Sequence, residues 1–545
     1  MGIDLLIENS RVFTGTQYSP DATTIAVSDG LIVAVSSADI TYMAGPHTRR
    51  VDAQGGLVTP GFVDAHVHPI EGGLERMRCD LSSASSREGY LDLISRYASS
   101  TQDEWIIGGG WQMAAFPGGT PQASDLDAIV PDRPVYLPNR DHHGSWVNSV
   151  ALERAGITRD TPDPADGRIE RDAQGNPTGT LHEGAAELVK RLIPKDTNQD
   201  RHDALLVAQQ YLHSVGVTGW QDAIVGNYGG HTDTGDIYLA AAQSGELTAR
   251  VELALWWDRH AGRDQLTALR ARRAHLQHEL VQARSIKIMQ DGIPENQTAA
   301  MLEPYFVGGC PCAGQGSGIS FLDPAELASV VRELDADHWQ VHIHAIGDKA
   351  VRDSLDAFAG VSRTGSVDNR HHIAHLQIVH PDDIARFAPL GVTATIQPLW
   401  ATFEPQMVEL NLPVLGDERA SWQYPFGALH RAGAHLAAGS DWPVTTPNPW
   451  EGLHVAVNRT LRPSDADFTA RQFFPEQALS LETALAAYTS GSAWVNHDDA
   501  AGMLAPGKKA DFVISNCNPF DNEPEEIGDT KAIATYVGGV EVFSI

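Results

Sequence analysis

The sequence predicts an α/β protein: a (β/α)8 TIM-like barrel with a small composite β-sandwich from both chain termini and a large insertion after barrel strand 1. Three observations carry this prediction. Short apolar runs alternate with helical stretches through the middle of the chain, both ends are β-rich, and several of the runs end in histidine or aspartate. At 545 residues the chain exceeds what one small core needs, so a large barrel with additions is expected.

From Asp4 to about Val58 the chain reads as short strands with turn signals, as in Thr24-Ile25-Ala26-Val27, then Asp29-Gly30, then Leu31-Ile32-Val33-Ala34-Val35. The C-terminal segment resumes that style with Ala510-Asp511-Phe512-Val513-Ile514 and Ala534 to Phe543. Residues 1–58 and 502–545 are therefore expected to form the sandwich, and residues 59–501 the barrel. The candidate barrel strands are Phe62 to His66, Val217 to Asp222, Arg250 to Trp256, Ser285 to Gln290, Gln340 to Ala345, His371 to Leu376, Val392 to Ile396 and His435 to Gly439. The gap from His68 to about Val217 is too long for a crossover and must hold an insertion, residues 70–210. That insertion carries Trp105, Trp111, Phe116, Tyr136, His142, His143 and Trp146, a load that fits either a satellite core or a substrate lid.

With 39 basic and 70 acidic residues the formal charge is −31, a field that repels nucleic acid and anionic membranes. Four cysteines, Cys79, Cys310, Cys312 and Cys517, are too few for a disulfide framework and fit a reducing compartment. Cys310-Pro311-Cys312 lacks the spacing of a zinc knuckle and reads as a loop. The N-terminus lacks the basic start of a signal peptide, and no apolar run is long enough to span a bilayer, so a cytoplasmic location is expected. The expected partner is a small-molecule substrate, with a homodimer as the commonest form of self-association.

His66 and His68 are two residues apart at a strand end and so share a face, where both imidazoles can meet one ion. Two unrelated polar residues at a strand end are the alternative, which further reactive strand ends weaken. Lys287 lies inside an apolar run with Asp291 on the same face, His342 and His344 end the fifth run, His375 ends the sixth and Asp441 the eighth. Histidine and carboxylate are ligands for zinc or a similar divalent ion, which brings the pKa of bound water near ~7. Asp441 is placed to relay a proton, although a strand-end aspartate can also cap a helix. Burial favours the neutral amine of Lys287, which can add carbon dioxide and become an anionic carbamate ligand; the alternatives are an ammonium that reaches solvent or pairs with Asp291.

His66-Val67-His68, Lys287 before Asp291-Gly292, His344-Ala345-Ile346-Gly347-Asp348, His375-Leu376-Gln377 and Gly439-Ser440-Asp441-Trp442-Pro443 closely resemble the amidohydrolase superfamily. Within it they look like the YtcJ-like branch, which includes N-substituted formamide deformylases. The resemblance extends to Val58-Thr59-Pro60-Gly61-Phe62-Val63-Asp64, Trp146-Val147-Asn148-Ser149 and Gly507-Lys508-Lys509-Ala510-Asp511-Phe512. It implies a barrel hydrolase that holds one or two divalent ions, with zinc the expected metal, through His66, His68, Lys287, His344, His375 and Asp441. It further implies a Lys287 carboxylated by CO2 and Asp441 as catalytic base. His342 is expected behind the ligands. Ala374 stands where the branch usually has a glutamate, and Asp222 and Glu183 lie in similar segments with no role assigned.

The activity implied is hydrolysis of a C–N bond in an amide or N-substituted formamide. His143, in a segment matching the branch together with Trp146 and Asn148, is expected to stabilise the oxyanion. Trp111, Phe116, Trp146, Trp400 and Trp442 are expected to wall an apolar substrate pocket. Two other readings are a heterocyclic base deaminase, for which only Asp348 offers the shuttling acid after His344, and a noncatalytic regulatory or binding barrel.

Overall fold

Eight parallel strands follow one another around the centre of the molecule in strict chain order. They are β1 (Phe62–Val67), β2 (Val217–Val225), β3 (Arg250–Trp256), β4 (Val281–Met289), β5 (Gln340–Ala345), β6 (His372–His375), β7 (Thr393–Ile396) and β8 (Leu436–Ala438). The structure is a computed structural model that describes residues 2–228, 231–307, 310–311, 316–361 and 368–545. All eight predicted barrel strands are present, with β2 and β4 longer than the apolar runs suggest. Every residue of β1, β5, β6, β7 and β8 is buried, as expected for parallel strands with helices outside and packed side chains inside.

Neighbouring strands from β1 through β8 are joined by ladders, but β8 and β1 are not. That seam is closed by the Asp64 side chain together with isolated backbone hydrogen bonds, which include the His68 N–H donating to the Trp442 carbonyl at 2.8 Å. The Asp64 carboxylate accepts from the Ser440 N–H at 3.0 Å and from the Ser440 hydroxyl at 2.6 Å, and the Asp441 N–H donates to the His66 carbonyl at 2.8 Å. Gly439 is required here, because a Cβ would stand 2.7 Å from the His66 nitrogen.

Strands from the two chain ends share one sheet, and a second sheet is built from the N-terminal end alone. Phe512–Ser515 lies between Leu57–Pro60 and Ala532–Val537 in a six-stranded sheet, and Ile3–Glu8 lies between Thr24–Ser28 and Ala44–Asp52 in a four-stranded one. Leu5, Ile25 and Ile32 of the first end pack with Phe512, Ile514 and Tyr536 of the other. An ion pair fastens this part to the barrel: the Arg250 guanidinium at the start of β3 donates to Asp511 at 2.7 and 3.2 Å.

The segment between β1 and β2 contains its own six-stranded sheet, in which Gly144–Val147 lies between Val135–Pro138 and Pro177–Glu183. Asn148 ends that first strand and caps the helix Ser149–Ala155 by accepting from the Ala151 N–H. Cys310–Pro311 pairs with Phe306–Val307 as a short hairpin rather than a loop, and Cys312 lies outside the described residues. Among the described residues no helix is long and apolar enough to cross a membrane.

Removing Arg250 leaves the Asp511 carboxylate, 3 % exposed, without its cation. Arg250→Ala is predicted to cost about 3 kcal/mol, read as a lower urea midpoint for unfolding; an unchanged midpoint would show that the ion pair does not fasten the terminal sheets.

Candidate metal centre and active-site cavity

The C-terminal ends of β1, β4, β5, β6 and β8 bring the six predicted ligand residues together. Asp441 Oδ1 lies 3.3 Å from His66 Nε2 and 3.0 Å from His68 Nε2. One ligand atom from each of these three residues lies within 4.8 Å of the other two. The His375 ring is 4.6 Å from that of His66 and 4.4 Å from that of His344, and its Nδ1 is 3.9 Å from Asp441 Oδ2. Lys287 Nζ is 3.4 Å from His66 Nε2. His375 and Asp441 turn into the cluster with φ of 81° and 56°, a left-handed conformation rare outside glycine and often found at functional sites.

These residues fit a divalent cation. His344 Nε2 and His375 Nδ1 are buried and have no hydrogen-bond partner among the described residues. Each such orphan costs roughly 1–3 kcal/mol, a penalty that a shared positive ion relieves where the atoms converge on it. Burial first, and then neighbouring positive groups, hold His66, His344 and His375 well below the usual imidazole range, so they present lone pairs. Burial alone would raise Asp441, but His66 and His68 outweigh it and keep the carboxyl well below its usual range. Burial lowers the Lys287 ammonium to about 7 against the attraction of Asp441 and Asp222. Lys287 is 1 % exposed and does not pair with Asp291, whose carboxylate accepts instead from the N–H groups of Ala300, Ile346 and Gly347 at 2.8 to 3.0 Å.

His342 packs against His66, with its Nε2 2.9 Å from His66 Nδ1. Burial keeps both rings neutral. The tautomer in which His66 Nδ1–H donates to His342 would leave the lone pair of His66 Nε2 available to an ion. Asp222 accepts from the Tyr238 hydroxyl at 2.8 Å, and burial raises its carboxyl to about 7. Ala374 is fully buried and lies opposite His344 in the β5–β6 register.

The cluster opens into a cavity of about 540 Å³. His143 enters its wall from the insertion, with its ring 6.0 Å from that of His344. Glu183 receives His143 Nδ1 at 2.9 Å and the Thr298 hydroxyl at 2.8 Å, so it orients the imidazole. Burial would lower the His143 pKa, but the Glu183 carboxylate overrides it and holds the ring up at about 9. Sequence reasoning gave Glu183 no role; a partner 40 residues away leaves no local signal.

Of the five aromatic residues expected in the pocket, Trp400 lines it, stacked on His375 at 5.3 Å. The other four require correction. Trp111, Phe116 and Trp146 form the insertion's own core, packed edge to face at 5.1 to 6.3 Å, with the indole N–H groups of Trp111 and Trp146 donating to the carbonyls of Leu137 and Gln122. Trp442 turns away against Tyr211 and over Gly72, where a Cβ would come within 2.6 Å of its ring. The aromatic wall includes Tyr136, Tyr228 and Trp256 instead.

A sequence profile described as the amidohydrolase family matches residues 49–543. The chain is similar to Protein LONG AFTER FAR-RED 3 of Arabidopsis thaliana, with 33% identity over 99% of this chain and 91% of that one. It is also similar to the N-substituted formamide deformylase of Arthrobacter pascens, with 25% identity over 98% of each chain. Among solved structures it resembles an uncharacterized metal-dependent hydrolase from Pyrococcus horikoshii OT3, with a TM-score of 0.70, 25% identity, and coverage of 93% of this chain and 96% of that one.

His342→Leu keeps side-chain bulk but removes the acceptor that fixes His66. Zinc affinity, measured by competition with a chromogenic chelator, is predicted to fall by roughly 10–100-fold; an unchanged dissociation constant would leave His342 as packing only.

Proposed function

The chain belongs to the amidohydrolase family, and from that premise we propose that it hydrolyses a C–N bond in an amide or N-substituted formamide. The observation that carries this reading is the convergence of His66, His68 and Asp441, with the orphaned ligand atoms of His344 and His375, on the wall of one cavity. These residues would hold one or two divalent ions, zinc for preference. The neutral amine of Lys287 would take up CO2, lose a proton and join them as a carbamate. When bound, the metal supplies Lewis-acid polarisation of the substrate carbonyl and acidifies water toward a pKa of ~7.

The remaining steps belong to side chains. Asp441, kept ionised by its two histidines, accepts the proton of the water that adds to the carbonyl carbon. It returns that proton to the nitrogen as the C–N bond breaks, giving a carboxylic acid, formic acid in the case of a formamide, and an amine; the acid's remaining proton then passes to the amine, so the products leave as carboxylate and ammonium. The His143 imidazolium, oriented by Glu183, donates to the developing oxyanion. Trp400, Trp256 and Tyr228 give the substrate's hydrocarbon part an apolar wall. We read residues 1–58 with 502–545 as a sandwich that buttresses the barrel of residues 59–501, and residues 70–210 as a lid, because Tyr136, His142 and His143 reach the cavity from it.

The deaminase reading loses support from Asp348, which is 1 % exposed, accepts from the Leu302 N–H at 2.9 Å and does not line the cavity.

Zinc-loaded protein should release formate from N-alkyl and N-benzyl formamides or cleave simple amides; no turnover of either class above the metal-free control would overturn the reading. His143→Ala is predicted to lower kcat by roughly 10²–10³-fold with metal content unchanged, and an unchanged rate would remove the oxyanion role. His143 carries its charge below about 9 and loses it as pH rises through that value. Activity should therefore decline above about pH 9, and this limb should be missing in His143→Gln.

A further inference from the structure

Among the carboxylates on the cavity wall that the hydrolysis just described does not use, three act on one another. Asp141, Glu295 and Glu404 all line the cavity, and none forms an ion pair among the described residues. Asp141 accepts from the Gln406 amide at 3.2 Å and from the His143 N–H at 3.0 Å, and Glu295 from the Asn411 amide at 3.2 Å. Glu404 has no side-chain hydrogen bond among the described residues. The acids are close enough to oppose one another's ionisation: Asp141 and Glu404 both act on Glu295, and Asp141 acts on Glu404. The cation that most affects Glu404 is Arg140, which also lines the cavity. With the Gln112 amide turned so that its oxygen faces the guanidinium, Arg140 donates to that oxygen at 3.0 and 2.6 Å. Arg140, already hydrogen-bonded, acts on Glu404, the His143 imidazolium is the cation near Asp141, and Asp467 adds a further negative charge near Glu404.

An independent observation indicates a ligand at the same place. Tyr424 is 2 % exposed and lines the cavity, yet its hydroxyl has no hydrogen-bond partner among the described residues. Its electrostatic neighbours are Glu295, Glu404 and, with a smaller effect, Arg459. This hydroxyl opens onto the cavity without a protein partner, beside acids whose hydrogen-bonding capacity is only partly used. Trp400 lines the same cavity and offers an aromatic face to a cation.

We propose that Glu295, Glu404, Asp141 and Tyr424 form a subsite for an ammonium-type cation, and that the substrate carries such a group at the end of its apolar segment. For the identity of the scissile bond this inference rests on the C–N hydrolase reading; for the cation it does not. An ammonium supplies N–H donors to the Tyr424 hydroxyl and the carboxylates together with the missing positive charge. Burial pushes the Glu295 carboxyl up to about 7 and Glu404 up as well, and a bound cation restores their ionisation.

The test uses three formamides of matched length, N-(6-aminohexyl)formamide, N-heptylformamide and 7-formamidoheptanoate, with zinc-loaded full-length protein. Heptylammonium, which has no scissile bond, is titrated separately by calorimetry. Turnover is expected to favour the cationic formamide over the neutral one by at least about tenfold in kcat/KM, with the anionic one poorest. In Glu295→Gln/Glu404→Gln that ratio should collapse toward one, and Tyr424→Phe should lower it by a smaller factor if the double variant does not fold. A cation-to-neutral ratio near one in the unaltered protein, or a preference for the anion through Arg140, would overturn the subsite. If no formamide is cleaved, heptylammonium binding that weakens in Glu404→Gln would uphold the subsite while the formamide reading falls. Heptylammonium that fails to bind would then overturn the subsite as well.

Discussion

The Asp64 carboxylate holds together the one place where the barrel has no strand ladder, and the geometry of the site depends on it. It is 2 % exposed and accepts from Ser440 through both the N–H and the hydroxyl, while the next N–H, of Asp441, donates to the His66 carbonyl. This side-chain bridge fixes β8 against β1 without the spacing that a ladder would impose. It carries Asp441 across the seam to within 3.3 Å of both histidines of β1. Gly439 permits the approach because it has no side chain to put between the strands.

Once the seam is closed, burial sets the protonation states. Imidazoles from β1, β5 and β6 are buried against one another, so ionised rings would be poorly solvated and would repel, and the neutral forms are held. Asp441 stays ionised because two histidines face it at short range, and Lys287 sits near the midpoint between amine and ammonium at about 7. Neutral nitrogens, one carboxylate and an amine able to lose its proton constitute a donor set suited to a hard or borderline cation. Outside this ring the polarity reverses. His143, facing Glu183, keeps its charge where the barrel histidines lose theirs, so one cavity holds imidazoles for coordination and one for donation.

The barrel was readable because its strands are short, apolar and separated by helix-length gaps, and because period-two spacing puts His66 with His68 and Lys287 with Asp291 on shared faces. The ligand residues were readable because a parallel barrel gathers its strand ends. The pocket walls were not. Trp111, Phe116 and Trp146 sit in Gly-rich segments that look like a lid, but large rings with one N–H each pack equally well into a small satellite sheet, and there they satisfy that N–H on backbone carbonyls. Glu295, Glu404 and Tyr424 escaped notice, and Glu183 was noticed without a role, for another reason. Each lies outside any spacing motif and gains meaning only from partners far away in sequence, such as His143 for Glu183.

The central claim is that the cluster at the barrel mouth holds metal. Elemental mass spectrometry on protein expressed with added zinc and bicarbonate tests it most directly, with an Asp441→Asn/His66→Ala variant measured in parallel. The account predicts about one to two ions per chain in the unaltered protein and a small fraction of that in the variant. A folded chain that stays metal-free under these conditions, or a variant that retains the full complement, would contradict it.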